Sequence, residues 1–302
     1  MIAISTFNFN YVDLKEKFSM ISKKIGIIGG DMRQYYLAKS LKKDGHDIKI
    51  TGFENLITET DSLKTCSLTE TTNFADYIIL PIPMSRDGAY INAPHSETKI
   101  SIDTIFKLKN KKIFGGTISP KQRNEFDKTS KIYDFYREDF TILNAVPTAE
   151  GAIKEAFKYT DKTLSSCKCL VTGYGKIGKV LCTLLKNMGA EVTAAMRSNK
   201  DFAWAYTQGI KSVNINEFKT DYDIIFNTAP AMIFNKKILE KIPHYTLIID
   251  LASEPGGIDK AYAKKLGINS IQALGLPGKY FPKTAGKIIK TVIYKIIEEE
   301  NL

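Results

Sequence analysis

Short apolar runs alternate with segments of helical periodicity along most of this chain. In order, the runs fall at residues 24–28, 47–52, 77–80, 112–116, 140–143, 169–172, 191–196, 222–226, 247–251 and 270–273. They are rich in Ile, Val, Leu and Phe and are bounded by Gly, Pro, Asn or Asp, as buried strands are. Helical spacing of apolar residues fills gaps between them, at 35–43, 149–159 and 179–188, and again in the tail at 283–299. Near-continuous apolar strands separated by helices predict parallel sheets covered on both faces. The pattern therefore predicts an α/β protein of two Rossmann-like, doubly wound parallel-sheet domains with a cleft between them. The expected divisions are an N-terminal extension at 1–23, a first domain at 24–147, a second at 148–282, and a C-terminal helix at 283–302 packing back on the first.

The run at 169–172 opens into Gly173-Tyr174-Gly175-Lys176-Ile177-Gly178, a helical stretch and a second run, a βαβ unit of about thirty residues. In such a unit Gly173 permits the tight turn, Gly175 lets a pyrophosphate approach the backbone, and Gly178 lets the helix pack closely on the sheet. The helix N-terminus then offers its N–H groups to phosphate. All six residues of the motif are candidate dinucleotide contacts. An NAD site usually has an acid at the end of the second strand to hold the ribose 2′-OH. Here the strand ends in Met196-Arg197-Ser198, so a guanidinium and a hydroxyl point to the 2′-phosphate of NADP. Later strands end at Asn227-Thr228, at Leu251 and just before Gly275, which complete the expected cofactor contacts.

The first domain begins in a similar way, with Gly29-Gly30-Asp31 after 24–28, but a bulky residue stands where the third glycine belongs. No second dinucleotide is expected there. Asp31 and Arg33 either cap the helix and pair with each other, or Arg33 and the loop N–H groups hold a substrate carboxylate. The segment 81–88 follows a strand and carries Ser85 and Arg86, which can grip a carboxylate where open α/β sheets bind ligands. His95, farther along the same irregular stretch, is a candidate proton carrier, the plainer reading being a structural or solvated side chain. Thr148 is expected to cap a helix at 149–159 and to help hold substrate. Gly151 in its first turn would leave room for a ligand, and Glu150 would serve as a general base or merely favour the helix dipole.

Composition alters little. Hydrophobic residues make up 43% of the 302, enough for two ordinary cores. The net charge of +10 is spread along the chain, which suits anionic cofactors and small acidic substrates; no nucleic-acid motif accompanies it. The four cysteines lack paired metal spacing, so no metal is expected, and they fit a reducing cytosol. No apolar run reaches membrane-spanning length, and the first twenty or so residues lack a signal-peptide core.

Several longer stretches carry a resemblance: IGIIGGDMRQ at 25–34, NAVPTAEGAI at 144–153, VTGYGKIGKVL at 171–181, DLASEPGGID at 250–259 and ALGLPGKYFPKTAGKII at 273–289. Together they make the chain resemble the A-subunit family of dipicolinate synthase over essentially everything after Lys23. The N-terminal extension is the main departure. The resemblance implies oxidation of a dihydrodipicolinate to pyridine-2,6-dicarboxylate (dipicolinate) in the mother-cell cytoplasm of a spore former. It further implies the smaller, flavoprotein-like B-subunit of dipicolinate synthase as partner and the two-domain layout of shikimate dehydrogenases. A homodimer is compatible with it. The cofactor side is expected in the second domain and the dianion's donors, near Arg33, Arg86 and Thr148, in the first. Two alternatives stand beside this: a non-catalytic presenting subunit for the flavoprotein, and a shikimate-type dehydrogenase.

Overall fold

A computed structural model describes residues 22–56, 61–126, 128–253 and 256–302; expectations for the rest, including nearly all of the extension, lie outside it. The chain divides into two compact units. One comprises the described residues through Phe140 together with Pro282–Leu302, and the other is Thr141–Phe281.

The first unit contains β1 (Lys24–Ile28), α1 (Met32–Lys43), β2 (Asp47–Thr51), α2 (Leu68–Phe74), β3 (Tyr77–Ile79), α3 (Ile102–Phe106), β4 (Lys112–Gly115), α4 (Pro120–Phe126) and β5 (Lys131–Asp134). Its strands are all parallel, in the order β2-β1-β3-β4-β5. That is the flavodoxin-like winding, whose switch point lies between β1 and β3. The inner strands are apolar because helices cover both faces; Ile27, Ile28, Ile78 and Ile113 are fully buried. The last helix of the chain, Pro282–Glu299, returns to lie on α1. Gly286 makes this possible, since a β-carbon there would come within 2.6 Å of the Arg33 carbonyl oxygen.

Between these segments the chain passes into the second unit through α5 (Glu138–Tyr159) and continues with β6 (Lys168–Thr172), α6 (Lys176–Asn187), β7 (Glu191–Met196), α7 (Asn199–Thr207) and β8 (Lys211–Asn214). Then come β9 (Ile224–Asn227), α8 (Lys236–Leu239), β10 (Leu247–Asp250), α9 (Lys260–Lys265), β11 (Asn269–Gln272) and α10 (Leu276–Tyr280); Pro282–Glu299 is thus α11. The six parallel strands run β8-β7-β6-β9-β10-β11, which is the 3-2-1-4-5-6 order of dinucleotide-binding folds.

One expected strand is wrong. Residues 140–143 belong to the helix α5, and the fifth strand of the first sheet is β5, earlier in the chain. The run Phe140-Thr141-Ile142-Leu143 before Pro147 looks extended by propensity. Its burial decides otherwise, since Ala145, Ala149, Ala152 and Ala156 form one buried helical stripe, while Phe140 packs on Phe135. The Pro147 ring removes one helical N–H and the helix absorbs the loss. Thr148 is consequently no N-cap: it sits mid-helix, with its hydroxyl donating to the Asn144 carbonyl at 2.6 Å. Gly151 and Glu150 are not in a first turn either. Gly151 leaves no room for a ligand, because its missing side chain is replaced by Leu276, 2.8 Å from where a β-carbon would be. Glu150 points outward from mid-helix and is exposed.

Candidate active site

At the switch point of the second sheet, β6 ends against the turn Gly173–Gly175. Gly173 has φ +92°, and a β-carbon on it would lie 2.6 Å from Thr228 Oγ1. Gly178 is tighter: its β-carbon would fall 2.2 Å from the Gly173 carbonyl oxygen. Gly175 differs from both. It is the N-cap of α6, with φ −75° and no side chain capping the helix, and nothing lies within 4 Å of where its β-carbon would be. The turn is thus closed on the sheet side and open at the helix N-terminus, whose first N–H groups lack intrahelical acceptors. That is the shape and polarity a pyrophosphate needs, and the residues fit a dinucleotide.

Tyr174, between the glycines, turns its ring into the core, where the hydroxyl donates to Gln208 at 3.0 Å. Burial, chiefly, pushes its pKa up to about 12. Its backbone alone is left at the turn. Lys176 Nζ donates to Thr141 Oγ1 at 2.7 Å, and Ile177 packs against the core. At the end of β7 Arg197 is exposed, and Ser198 N-caps α7 with its hydroxyl shared between the Asp201 N–H and carboxylate.

The neighbouring strand ends are braced by a buried network that the sequence reading missed. Asn227 accepts from Thr172 Oγ1 at 2.6 Å and donates to Asp250 Oδ1 at 2.8 Å; Asp250 also accepts from the N–H groups of Ala252 and Gly257. Thr228 donates to the Thr172 carbonyl at 3.0 Å. Asn227 and Thr228 therefore fix the loops after β6, β9 and β10. An acid closing an apolar strand, as Asp250 does, was the available signal. Leu251 is buried just beyond it, and Gly275, at φ +64°, turns the chain into α10. A second missed cluster fastens α10 to α5: the buried Glu155 accepts from Lys279 and Tyr280.

The first unit repeats the turn with different side chains. Gly29, Asp31 and Gln34 occupy the places of Gly173, Gly175 and Gly178: one past the strand, at the N-cap and at the third helical position. Asp31 places its own carboxylate on the α1 N-terminus, accepting from the Arg33 N–H at 2.9 Å, while Gln34 closes a capping box. An internal anion fills the place a phosphate would take. Arg33 pairs with Asp31 through Nε and Nη2 at 2.9 Å each and donates to the Ile82 carbonyl at 2.7 Å. Burial pushes the Asp31 carboxyl up, but the Arg33 hydrogen bond and charge outweigh it and hold the group below its ordinary value; His95 lies within electrostatic reach.

Backbone hydrogen bonds tie the loops along this edge: Gly30 N–H to Asn92 at 2.8 Å, Asn92 N–H to Met84 at 2.9 Å and Met84 N–H to Gly116 at 3.2 Å. Arg86 is exposed and donates through Nε to Asn92 Oδ1 at 3.3 Å, while Ser85 Oγ accepts from the Gly88 N–H. His95 is half-buried, its carbonyl accepting from the Asn55 N–H. Arg33, Ser85, Arg86 and His95 thus share the carboxyl edge of one sheet, and Thr148 and Glu150 lie on α5 in the other unit.

Residues 24–135 match the family of the N-terminal domain of the dipicolinate synthase A-subunit. The dipicolinate synthase A-subunit of Bacillus subtilis (strain 168) is 33% identical over 91% of this chain and 96% of its own length. This chain belongs to the dipicolinate synthase A-subunit family. Solved structures of such subunits agree: that from Bacillus halodurans has a TM-score of 0.80 at 30% identity, covering 91% of this chain and 97% of its own. That from Bacillus subtilis has the same TM-score at 33% identity, covering 93% and 98%. Residues 138–272 match the NAD-binding domain of D-isomer specific 2-hydroxyacid dehydrogenases. A transhydrogenase from Sinorhizobium meliloti, at 14% identity and a TM-score of 0.65 over 91% of this chain and 94% of its own, shares the fold. This member of the dipicolinate synthase A-subunit family is accordingly an oxidoreductase with a dehydrogenase-type NAD(P)-binding domain. Among the described residues no helix is long and apolar enough to cross a membrane, and no group of His, Cys, Asp and Glu could hold a metal ion.

Proposed function

We propose that the chain oxidises a dihydropyridine-2,6-dicarboxylate to the aromatic dicarboxylate with NADP⁺. The cofactor reading is carried by the end of β7, where the exposed Arg197 and the helix N-terminus at Ser198 stand in place of a ribose-binding acid. The nearest acid along the chain, Asp201, is already engaged by Ser198 at 2.8 Å and by Lys179 at 3.7 Å. NADP⁺, its pyrophosphate held at the open Gly175 turn, would supply the hydride acceptor.

The rest falls to this chain's own residues. The dihydropyridine loses one hydride and one proton, and aromatisation provides much of the driving force, so positioning counts for more than a strong base. Arg86 and Ser85 meet a carboxylate on the first unit's sheet edge, with Arg33 shaping the loop beside them. His95 is the proton acceptor on that edge, within the field of Asp31. The net charge of +10 draws in a dianionic substrate as well as the cofactor. With the family reading come the smaller flavoprotein-like B-subunit of the synthase and a setting in the mother-cell cytoplasm of a sporulating bacterium.

Titrating the purified chain with NADPH and NADH tests the cofactor. NADPH should bind more tightly, and Arg197→Ala should remove most of the difference, roughly ten- to a hundredfold for a charge-assisted phosphate contact of about 1.5–3 kcal/mol. Equal affinities for the two cofactors in the unmutated protein would refute it. Activity on dihydrodipicolinate, with and without the flavoprotein-like partner, tests the reaction itself.

A further inference from the structure

Among the described residues three that are not glycine have positive φ: Asn110, Asn301 and Thr117, at +63°. Asparagine tolerates that region, whereas for a β-branched side chain it is a real outlier. Thr117 follows two glycines at the carboxyl end of β4, and those glycines have ordinary φ. They are needed for space: a β-carbon on Gly116 would lie 2.8 Å from Ile82, and one on Gly115 would lie 3.1 Å from Ile118. The one position in this turn that calls for a left-handed backbone thus carries threonine, where a third glycine would fit without strain.

The surroundings hold the turn in place. Asp134 accepts from the N–H groups of Thr117 at 3.3 Å, Ile118 at 3.0 Å and Tyr136 at 2.7 Å, and Gly116 accepts from Met84. The Thr117 side chain takes no part in this bracing. It is exposed, and its hydroxyl makes no hydrogen bond among the described residues. It stands on the same sheet edge as the Ile82–Arg86 loop, whose Met84 is bonded to the residue before it. Strained residues held by their surroundings in this way gather where a ligand is gripped.

We propose that Thr117 is a ligand-binding residue, its hydroxyl donating to one carboxylate of the planar dicarboxylate whose other contacts come from the Ser85–Arg86 loop. The inference rests on the reading of the first unit as the substrate-bearing one. Its test combines stability with binding, using dipicolinate and NADPH as separate probes of the full-length chain. Thr117→Gly should raise the melting temperature by about 2–4 °C, because the strain is relieved. It should also weaken dipicolinate binding by about tenfold, as loss of one hydrogen bond to a charged group does, and leave NADPH binding unchanged. Thr117→Ser, which keeps the hydroxyl, should bind dipicolinate as the parent does. If Thr117→Gly binds dipicolinate as tightly as the parent, the inference is overturned and the substrate reading stands. If the parent itself binds no dipicolinate, both are overturned together.

Discussion

Gly175 and Gly178 are three residues apart, yet the structure gives their replacement opposite meanings. A methyl at Gly178 would sit 2.2 Å from a carbonyl oxygen and 3.0 Å from the carbon of Gly173. Both are backbone atoms of a tight turn and cannot swing aside. Overpacking of this kind typically costs about 1–3 kcal/mol, against which alanine's better helix propensity returns up to about 1. Gly178→Ala should therefore lower the melting temperature by several degrees, at about 2–4 °C per kcal/mol for a domain of this size. At Gly175 the β-carbon meets nothing within 4 Å, and φ is ordinary for any residue. Gly175→Val should lower the cofactor-free melting temperature by no more than about 4 °C, since exchanging a glycine N-cap costs only a few tenths of a kcal/mol to about 1. Its branched side chain instead fills the space over the helix N-terminus. Thermal unfolding with and without NADPH separates the two. At a hundred times its dissociation constant a ligand adds about 2.7 kcal/mol to stability, and that increment should appear in the parent and vanish in Gly175→Val. If Gly175→Val is stabilised by NADPH as the parent is, the nucleotide does not lie on this turn.

Other expectations concern the first unit. Arg33→Ala breaks a largely buried pair and should cost about 1.5–3 kcal/mol in urea-denaturation stability. The exposed Arg86→Ala should change stability by less than about 0.5 kcal/mol and raise the substrate KM without affecting NADPH binding; an unchanged KM would remove Arg86 from the site. His46, buried between Lys23 and the last helix, accepts the Lys23 N–H at Nδ1 and meets Tyr294 Oη at 2.9 Å through Nε2. Burial lowers its pKa below 6.5, so its contribution to stability is whole above that value and is lost as pH falls through the lowered one. Urea midpoints at pH 7.5 and 5.5 should fall more for the parent than for His46→Gln.

The sheets could be read from the sequence because both faces of each strand are buried, which makes the runs nearly all apolar; Ile224-Ile225-Phe226 and Leu247-Ile248-Ile249 are clear cases. The glycine turn could be read because its spacing is a backbone requirement. What escaped was decided by tertiary packing. The helix α5 overrides β-branched residues and a proline because its alanine stripe is buried and Gly151, on another face, lets Leu276 of α10 close in. β5 carries only Ile132 and Tyr133 between charged ends, too short a run to stand out. The Thr172–Asn227–Asp250 network joins three strands distant in sequence, which periodicity cannot pair. The strain at Thr117 is invisible in its neighbours' identities.

The last helix has a consequence for how the protein is made. The first sheet is complete in sequence by Asp134, but α1 stays uncovered until α11 arrives, with Gly286 against its backbone and Tyr294 against His46. The second unit, by contrast, is one uninterrupted segment. A ribosome releasing this chain therefore delivers everything the nucleotide-binding half needs before the other half can close, and a chain that stops at Phe281 carries a finished second unit beside an open first one. Pulse-labelled nascent chains should acquire protease resistance in that order, with Thr141–Phe281 protected first and the N-terminal sheet only once α11 has emerged.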